Sequence, residues 1–310
     1  MILLALLASL LVQDPPHRVQ GEKFPDGTPS LEREQTQDAQ GNWIDTGRET
    51  RWYSNGKKSS EGTLAAGVRE GIWTFWLMNG NHEAQGEFHA GKFQGAWTFW
   101  NEAGRQEGSF ENGVSTGTWS YFYVQGPLRA RGDFADGKQT GAWEYRQLAG
   151  PLAQQGSFVA GLEEGEWKTF GADGKPASTG AWHAGKRTGP WSYFHKNGAL
   201  AKQGSYTEGL ESGHWSFFAE NGTKLQEGDF ENGLDSGHWT IWREDGSKSG
   251  EGERKAGRAE GKWTHWFANG KKESEGVYAA GLCEGKWSYW REDGTLDHES
   301  EYKSGKPQKR

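Results

Sequence analysis

A tryptophan two residues after a glycine recurs along most of this chain, at Trp73, Trp97, Trp119, Trp143, Trp167, Trp191, Trp215, Trp239, Trp263 and Trp287. Each step is 24 residues, except for 22 between Trp97 and Trp119. A fixed period in this range marks a stacked array, in which each unit buries its apolar face only against its neighbours. The stretch from Gly213 to Ser236, GHWSFFAENGTKLQEGDFENGLDS, is one whole unit. It reads as an aromatic run, an Asn-Gly, a polar run with one aromatic, and Gly-x-x-x-Gly. The expected fold is all-β: an elongated single-domain array of stacked antiparallel β-hairpins.

Trp215, Ser216, Phe217 and Phe218 suit a strand, and the return strand centres on Gly228-Asp229-Phe230. Asn221-Gly222 between them predicts a type I′ turn, with φ > 0 at both central residues. The second connection, Gly233 to Gly237, keeps both its glycines ahead of every marker tryptophan. The later one falls at Gly71, Gly95, Gly117, Gly141, Gly165, Gly189, Gly213, Gly237, Gly261 and Gly285. Such retention points to backbone positions with φ > 0 or close strand approach. Strand alternation puts Trp215 and Phe217 on one face and Phe218 on the other, and the return strand adds Phe230.

Aliphatic residues are few, but eighteen tryptophans at regular positions can build a thin, continuous aromatic core. A net charge of −7 argues against nucleic acid, which selects a basic surface. The one basic run is the tail, residues 303–310. Cys283 is the single cysteine, so no intrachain disulfide can form.

The organisation expected is a signal peptide over residues 1–13, a polar linker with a degenerate repeat over 14–46, and about eleven repeats over 47–302. Residues Ile2 to Val12 are apolar except Ser9, too short to span a bilayer and suited to a signal-peptide core. Export to the periplasm, envelope or medium is therefore expected, with a cytoplasmic location if the signal is not functional. In the first full repeat Glu49 replaces the marker tryptophan and Leu64 the return-strand aromatic, as terminal caps often do.

The pattern G-x-x-x-G-x-W-[ST]-[FY]-[WF]-x-x-[ND]-G followed by E/Q-G-x-F-x-x-G resembles the variant form of the MORN repeat. Gly261-Lys262-Trp263-Thr264, Asn269-Gly270-Lys271 and Glu275-Gly276-Val277-Tyr278 carry the resemblance well. It implies hairpin arrays that act as scaffolds, and bacterial relatives of the YwqK antitoxin-like type. Standard repeats place a tyrosine two residues before the strand glycine, where this chain has Ser274, Gln226, Lys202 or Ala130. That departure argues against the lipid binding of the standard type.

No catalytic constellation, cofactor site or metal site is expected, and an enzyme is not. His214 and His238 occupy equivalent positions two strand spacings apart, roughly 9–10 Å, too far to share a metal. The functional candidates are the rings three residues after the markers: Trp76, Trp100, Phe122, Phe170, Phe194, Phe218, Trp242, Trp266 and Trp290, with Arg146 breaking the row. Neighbouring hairpins either consume these rings or leave them as a binding stripe. Three readings follow. The first is a non-enzymatic scaffold for protein interaction, the second an antitoxin-like protein, the third a glycan- or wall-binding module. No transmembrane helix is indicated.

Overall fold

The computed structural model describes residues 17–308. The expected signal segment, residues 1–13, and the last two residues of the basic tail lie outside them. The regular structure among the described residues is β-strand throughout, without helix. Among the described residues no helix is long and apolar enough to cross a membrane.

The chain divides into two units, Met1–Lys138 and Gln139–Arg310, at a place the sequence does not mark. In the first, each strand from His17–Lys23 to Leu128–Ala135 pairs antiparallel with the next. The segment read as a polar linker is thus paired strand, with His17–Lys23 on Pro29–Gln37 and that strand on Trp43–Trp52. The second unit repeats the succession up to Leu296–Lys303, followed by the short Lys306–Pro307.

The Asn-Gly turn is not the expected type I′, while the glycines of the second connection have the expected positive φ, for example 79° at Gly233 and 65° at Gly237. At Asn221-Gly222 only the glycine has positive φ, 85°. Gly222 N–H donates to Ala219 O and Ala219 N–H to Thr223 O, a type I turn closed by a left-handed residue. Asparagine serves there through its side chain. In the turn at Asn197, Oδ1 accepts from Ala199 N–H at 2.9 Å while Nδ2 donates to Glu220 O of the next repeat at 2.7 Å. Asn269 does the same, to Lys271 and Glu292. The two-residue turn with both φ positive lies at the other connection, for example Ala184-Gly185 (47° and 77°) and Glu208-Gly209 (52° and 86°). The sequence hides it because the first position there is often alanine. The 22-residue step comes from a tighter turn, in which Asn101 pairs directly with Gly104.

Two populations of glycine hold the repeat together for different reasons. Gly71 and its nine equivalents have φ between 59° and 72°, and at most of them a Cβ would meet nothing. Conformation alone selects glycine there. The return-strand glycines carry no left-handed φ, but a Cβ on Gly62, Gly86, Gly108, Gly156, Gly180, Gly204, Gly228, Gly252 or Gly276 would strike the next repeat's indole. At Gly204 it would lie 2.1 Å from the ring of Trp215, and at Gly276 2.2 Å from that of Trp287. The indole lies flat over the preceding strand, and its N–H usually donates to the residue after the glycine, as Trp215 Nε1 does to Ser205 O at 3.2 Å. In Leu296–Lys303, which no tryptophan strand follows, Ser300 stands at this position, paired with Trp287.

The marker tryptophans are 0–6% exposed. They alternate with return-strand rings in edge-to-face contact: Phe88 on Trp97 at 5.1 Å, Tyr206 on Trp215 at 5.3 Å, Phe230 on Trp239 at 5.4 Å. Each such pair contributes roughly 0.5–1.5 kcal/mol beyond area burial. Arginines lie over this inner face, Arg69 at 4.6 Å from Trp73 and Arg254 at 4.6 Å from Trp239. Towards the N-terminus charge replaces rings. Arg33, not glycine, faces Glu49, not tryptophan. Glu49 is buried against Arg51 at 2.8 Å, while Gln35 accepts from Arg18 and donates to Asp45.

Candidate functional site

The outer face is where repeats differ. Its strand alternation places the nine row residues opposite the markers, and all nine are half-buried. The first unit holds Trp76, Trp100 and Phe122; the second holds Phe170, Phe194, Phe218, Trp242, Trp266 and Trp290 after Arg146. Neither population of glycine and no marker tryptophan belongs to this face.

A set of residues that sequence reading missed stands between successive rings. Each is the cross-strand partner of one ring and reaches the next. Lys248 pairs with Trp242 and lies over Trp266, its ammonium 5.2 Å from the ring centre. Lys272 pairs with Trp266 and lies 5.6 Å over Trp290. Lys224 pairs with Phe218 and lies 5.8 Å over Trp242. In the first unit His82 fills the interval between Trp76 and Trp100, at 6.0 and 5.3 Å, and Arg105 lies 4.3 Å over Phe122. The spacers beside Phe170 and Phe194 are Pro176 and Leu200 instead. The signal was present in the sequence as a lysine six residues after the row position.

Every lysine spacer is tied to the glutamate three residues on: Lys224–Glu227 at 2.5 Å, Lys248–Glu251 at 2.7 Å and Lys272–Glu275 at 2.6 Å. A second basic residue reaches the same carboxylate, His214 at Glu227 and Lys262 at Glu275. The hydrogen bond from Lys272 holds the Glu275 carboxyl below its ordinary value, with burial opposing it and Lys262 assisting. Glu227 is lowered in the same way by Lys224. His214 and His238 are solvent-exposed partners of Asp229 and Glu253. Among the described residues no group of three or more His, Cys, Asp or Glu is placed to hold a metal.

The row is not uniform. Beside Pro176 a notch of about 270 Å³ opens between two turns, walled by Gly171, Ala177, Phe194 and His195. On the inner face of the first unit a shallower groove is lined by Phe75, Phe93, Phe99 and Arg69. Phe93 there lies tilted against Trp97 at 4.2 Å; the second unit has Glu163, Arg187 or Glu211 at this position.

The outer row can bind by ring and alkyl contact, with paired charges to either side; it offers no nucleophile–base pair. No curated protein matches the chain. One solved structure that it resembles is titled "Crystal Structure of TcdB2-TccC3 without hypervariable C-terminal region", at 9% identity and a TM-score of 0.15. The match covers 91% of this chain and 20% of that one, so this chain spans about a fifth of its length. That likeness is too low to bear on fold or role. A family model described as "MORN repeat variant" matches residues 187–208 and 259–280, two hairpins whose glycines, tryptophans and turns are those described above.

Proposed function

We propose that the chain is a non-enzymatic repeat scaffold that mediates protein interaction through its outer aromatic row, in the cell envelope. One observation carries the reading. The inner face buries the marker rings, while nine further large rings on the opposite face of their units are only partly buried, with single side chains as spacers between them. The paired lysines and glutamates beside these rings leave little net charge along the stretch from Phe218 to Trp290, which suits a protein surface better than a polyanion.

The test is site-specific photo-crosslinking in the native host, with a benzophenone side chain in place of Trp266 or Phe218. A discrete protein adduct from these positions, absent from a probe at exposed Lys255, is the expected result. A small co-encoded adduct partner would mark the antitoxin-like case, and polysaccharide adducts would overturn the protein reading. Fractionation with intact mass tests the location: a mature chain beginning near Asp14 outside the cytoplasm is expected.

A further inference from the structure

We propose that the notch beside Pro176 is the anchor pocket of the scaffold, built to take one aromatic or large aliphatic side chain of a protein partner, next to a carboxylate on that partner. This rests on the protein-scaffold reading above and specifies where its binding is concentrated.

The notch exists because side chains are cut back at three neighbouring positions. Gly171 has none, where equivalent positions carry Gln147, His195, Arg243 and Phe267. Pro176 stands where Lys248 and Lys272 stand later, and Phe194 where Trp266 stands. Unlike the glycines of the connecting turns, Gly171 is not at positive φ. A Cβ there would lie 3.0 Å from Asp173 Oδ1, which accepts from Lys175 N–H at 3.1 Å, so a side chain enters only if that carboxylate shifts by a few tenths of an ångström. Conformation does not require glycine, and its consequence is the opening.

The walls are fixed in advance. Gly171 N–H donates to Lys175 O at 2.8 Å, and Gly171 O accepts from Gly174 N–H at 3.0 Å and Gln147 Nε2 at 2.8 Å. His195 Nε2 is held at 2.8 Å from Phe218 O. A preformed apolar pocket of this volume loses little on receiving a ring, which is how interface anchors concentrate affinity. The rim carries Lys175, Lys196 and Asp173. Lys175 reaches Asp173 only at 3.8 Å, and Lys196 has no carboxylate within ion-pair distance among the described residues. The rim therefore has one positive charge in excess, which complements a carboxylate beside the inserted side chain.

The experiment is a ¹H–¹⁵N titration of the full chain with N-acetyl-tryptophan and with N-acetyl-tryptophanamide. Saturable shifts at the amides of Gly171, Ala177 and His195 are expected, with the acid about threefold tighter than the amide. Gly171→Leu should weaken both roughly tenfold. Phe194→Trp, which restores the ring of the later repeats, should do likewise if Gly171→Leu misfolds. Lys196→Gln should abolish the preference for the acid and leave binding. Shifts centred elsewhere, equal affinity in the filled variants, or no saturable shift would overturn the proposal. Photo-crosslinking from Trp266 would still succeed in those cases, so the anchor can fail while the scaffold reading stands.

Discussion

Two stretches of one row, Phe170 to Phe218 and Trp242 to Trp290, stand on the same backbone and opposite the same row of marker tryptophans. They differ in the ring and in what separates the rings. Where the ring is tryptophan the spacers are lysines bound to glutamate; where it is phenylalanine the spacers are mostly Pro176 and Leu200. The pairing has a physical reason. A lysine stem packs along the broad indole, its ammonium gains from the ring's quadrupole, and the glutamate keeps it in place. A phenyl ring offers less to a cation and more to an aliphatic neighbour. One frame thus carries two chemistries, and the inner face, which makes the fold, is indifferent to which is chosen.

That indifference can be broken at its strongest point first. Gly180→Ala, in the phenylalanine stretch, and Gly276→Ala, in the tryptophan stretch, each push a methyl group into an indole, at 2.1 and 2.2 Å. Both should cost about 2–4 kcal/mol in urea unfolding, and alike. Clearly unequal losses would show that the outer chemistry does influence the frame.

Gly213→Val tests the other glycine population, at φ 64° with open space around it. The expected cost is about 1–3 kcal/mol. Lys224 is no control for it, since Glu227 and Trp242 engage it; Lys196→Ala is, and should change stability by less than about 0.5 kcal/mol.

Trp266→Ala and Phe194→Ala sharpen the contrast itself. The first strips Lys248 of its ring and should cost about 1–3 kcal/mol; the second enlarges an existing opening and should cost less. Raising salt to about 1 M should weaken the wild type more than a Lys224→Met/Lys248→Met/Lys272→Met variant, by a few tenths of a kcal/mol per pair. Identical salt responses would remove the ion pairs from the account.

The smallest effect is a pH slope. His265, stacked on Trp263 at 5.9 Å, has its pKa lowered chiefly by burial. The unfolded chain then binds the proton more readily, so this histidine's contribution is present above the ordinary imidazole value of 6.5 and lost as pH falls below it. His265→Phe, which installs the ring of Phe75, Phe99 and Phe217, should flatten the stability profile between about pH 5 and 7. Carboxylates such as Glu275, lowered by Lys272, lose their contribution only at more acid pH, below 4.5.

Much of this frame was legible because a repeated sequence carries its own comparison. The period, the strand faces and the left-handed glycines all follow from positions that recur. The turn types were not legible: Asn-Gly is a strong local signal for a primed turn, yet the asparagine here is selected by its reach to the next hairpin, a contact 23 residues away in sequence. The lysine spacers escaped notice for a similar reason. A cross-strand partner that covers the following ring belongs to two repeats at once. Arg33 shows the limit of pattern reading: the replacement of tryptophan by Glu49 was visible, but nothing in the repeat foretells an arginine facing it in place of glycine.

Ser300 gives the array a grammar. The glycine beneath each indole is demanded not by its own hairpin but by the one that follows, and Ser300, over which no indole lies among the described residues, carries a side chain at that place. The heritable module therefore straddles the joint between hairpins, from the glycine of one to the tryptophan of the next. Duplication or loss of whole 24-residue segments, cut anywhere in phase, preserves every such joint. An array written this way can change its length without renegotiating its core, while each new copy brings an outer position free to acquire a different side chain.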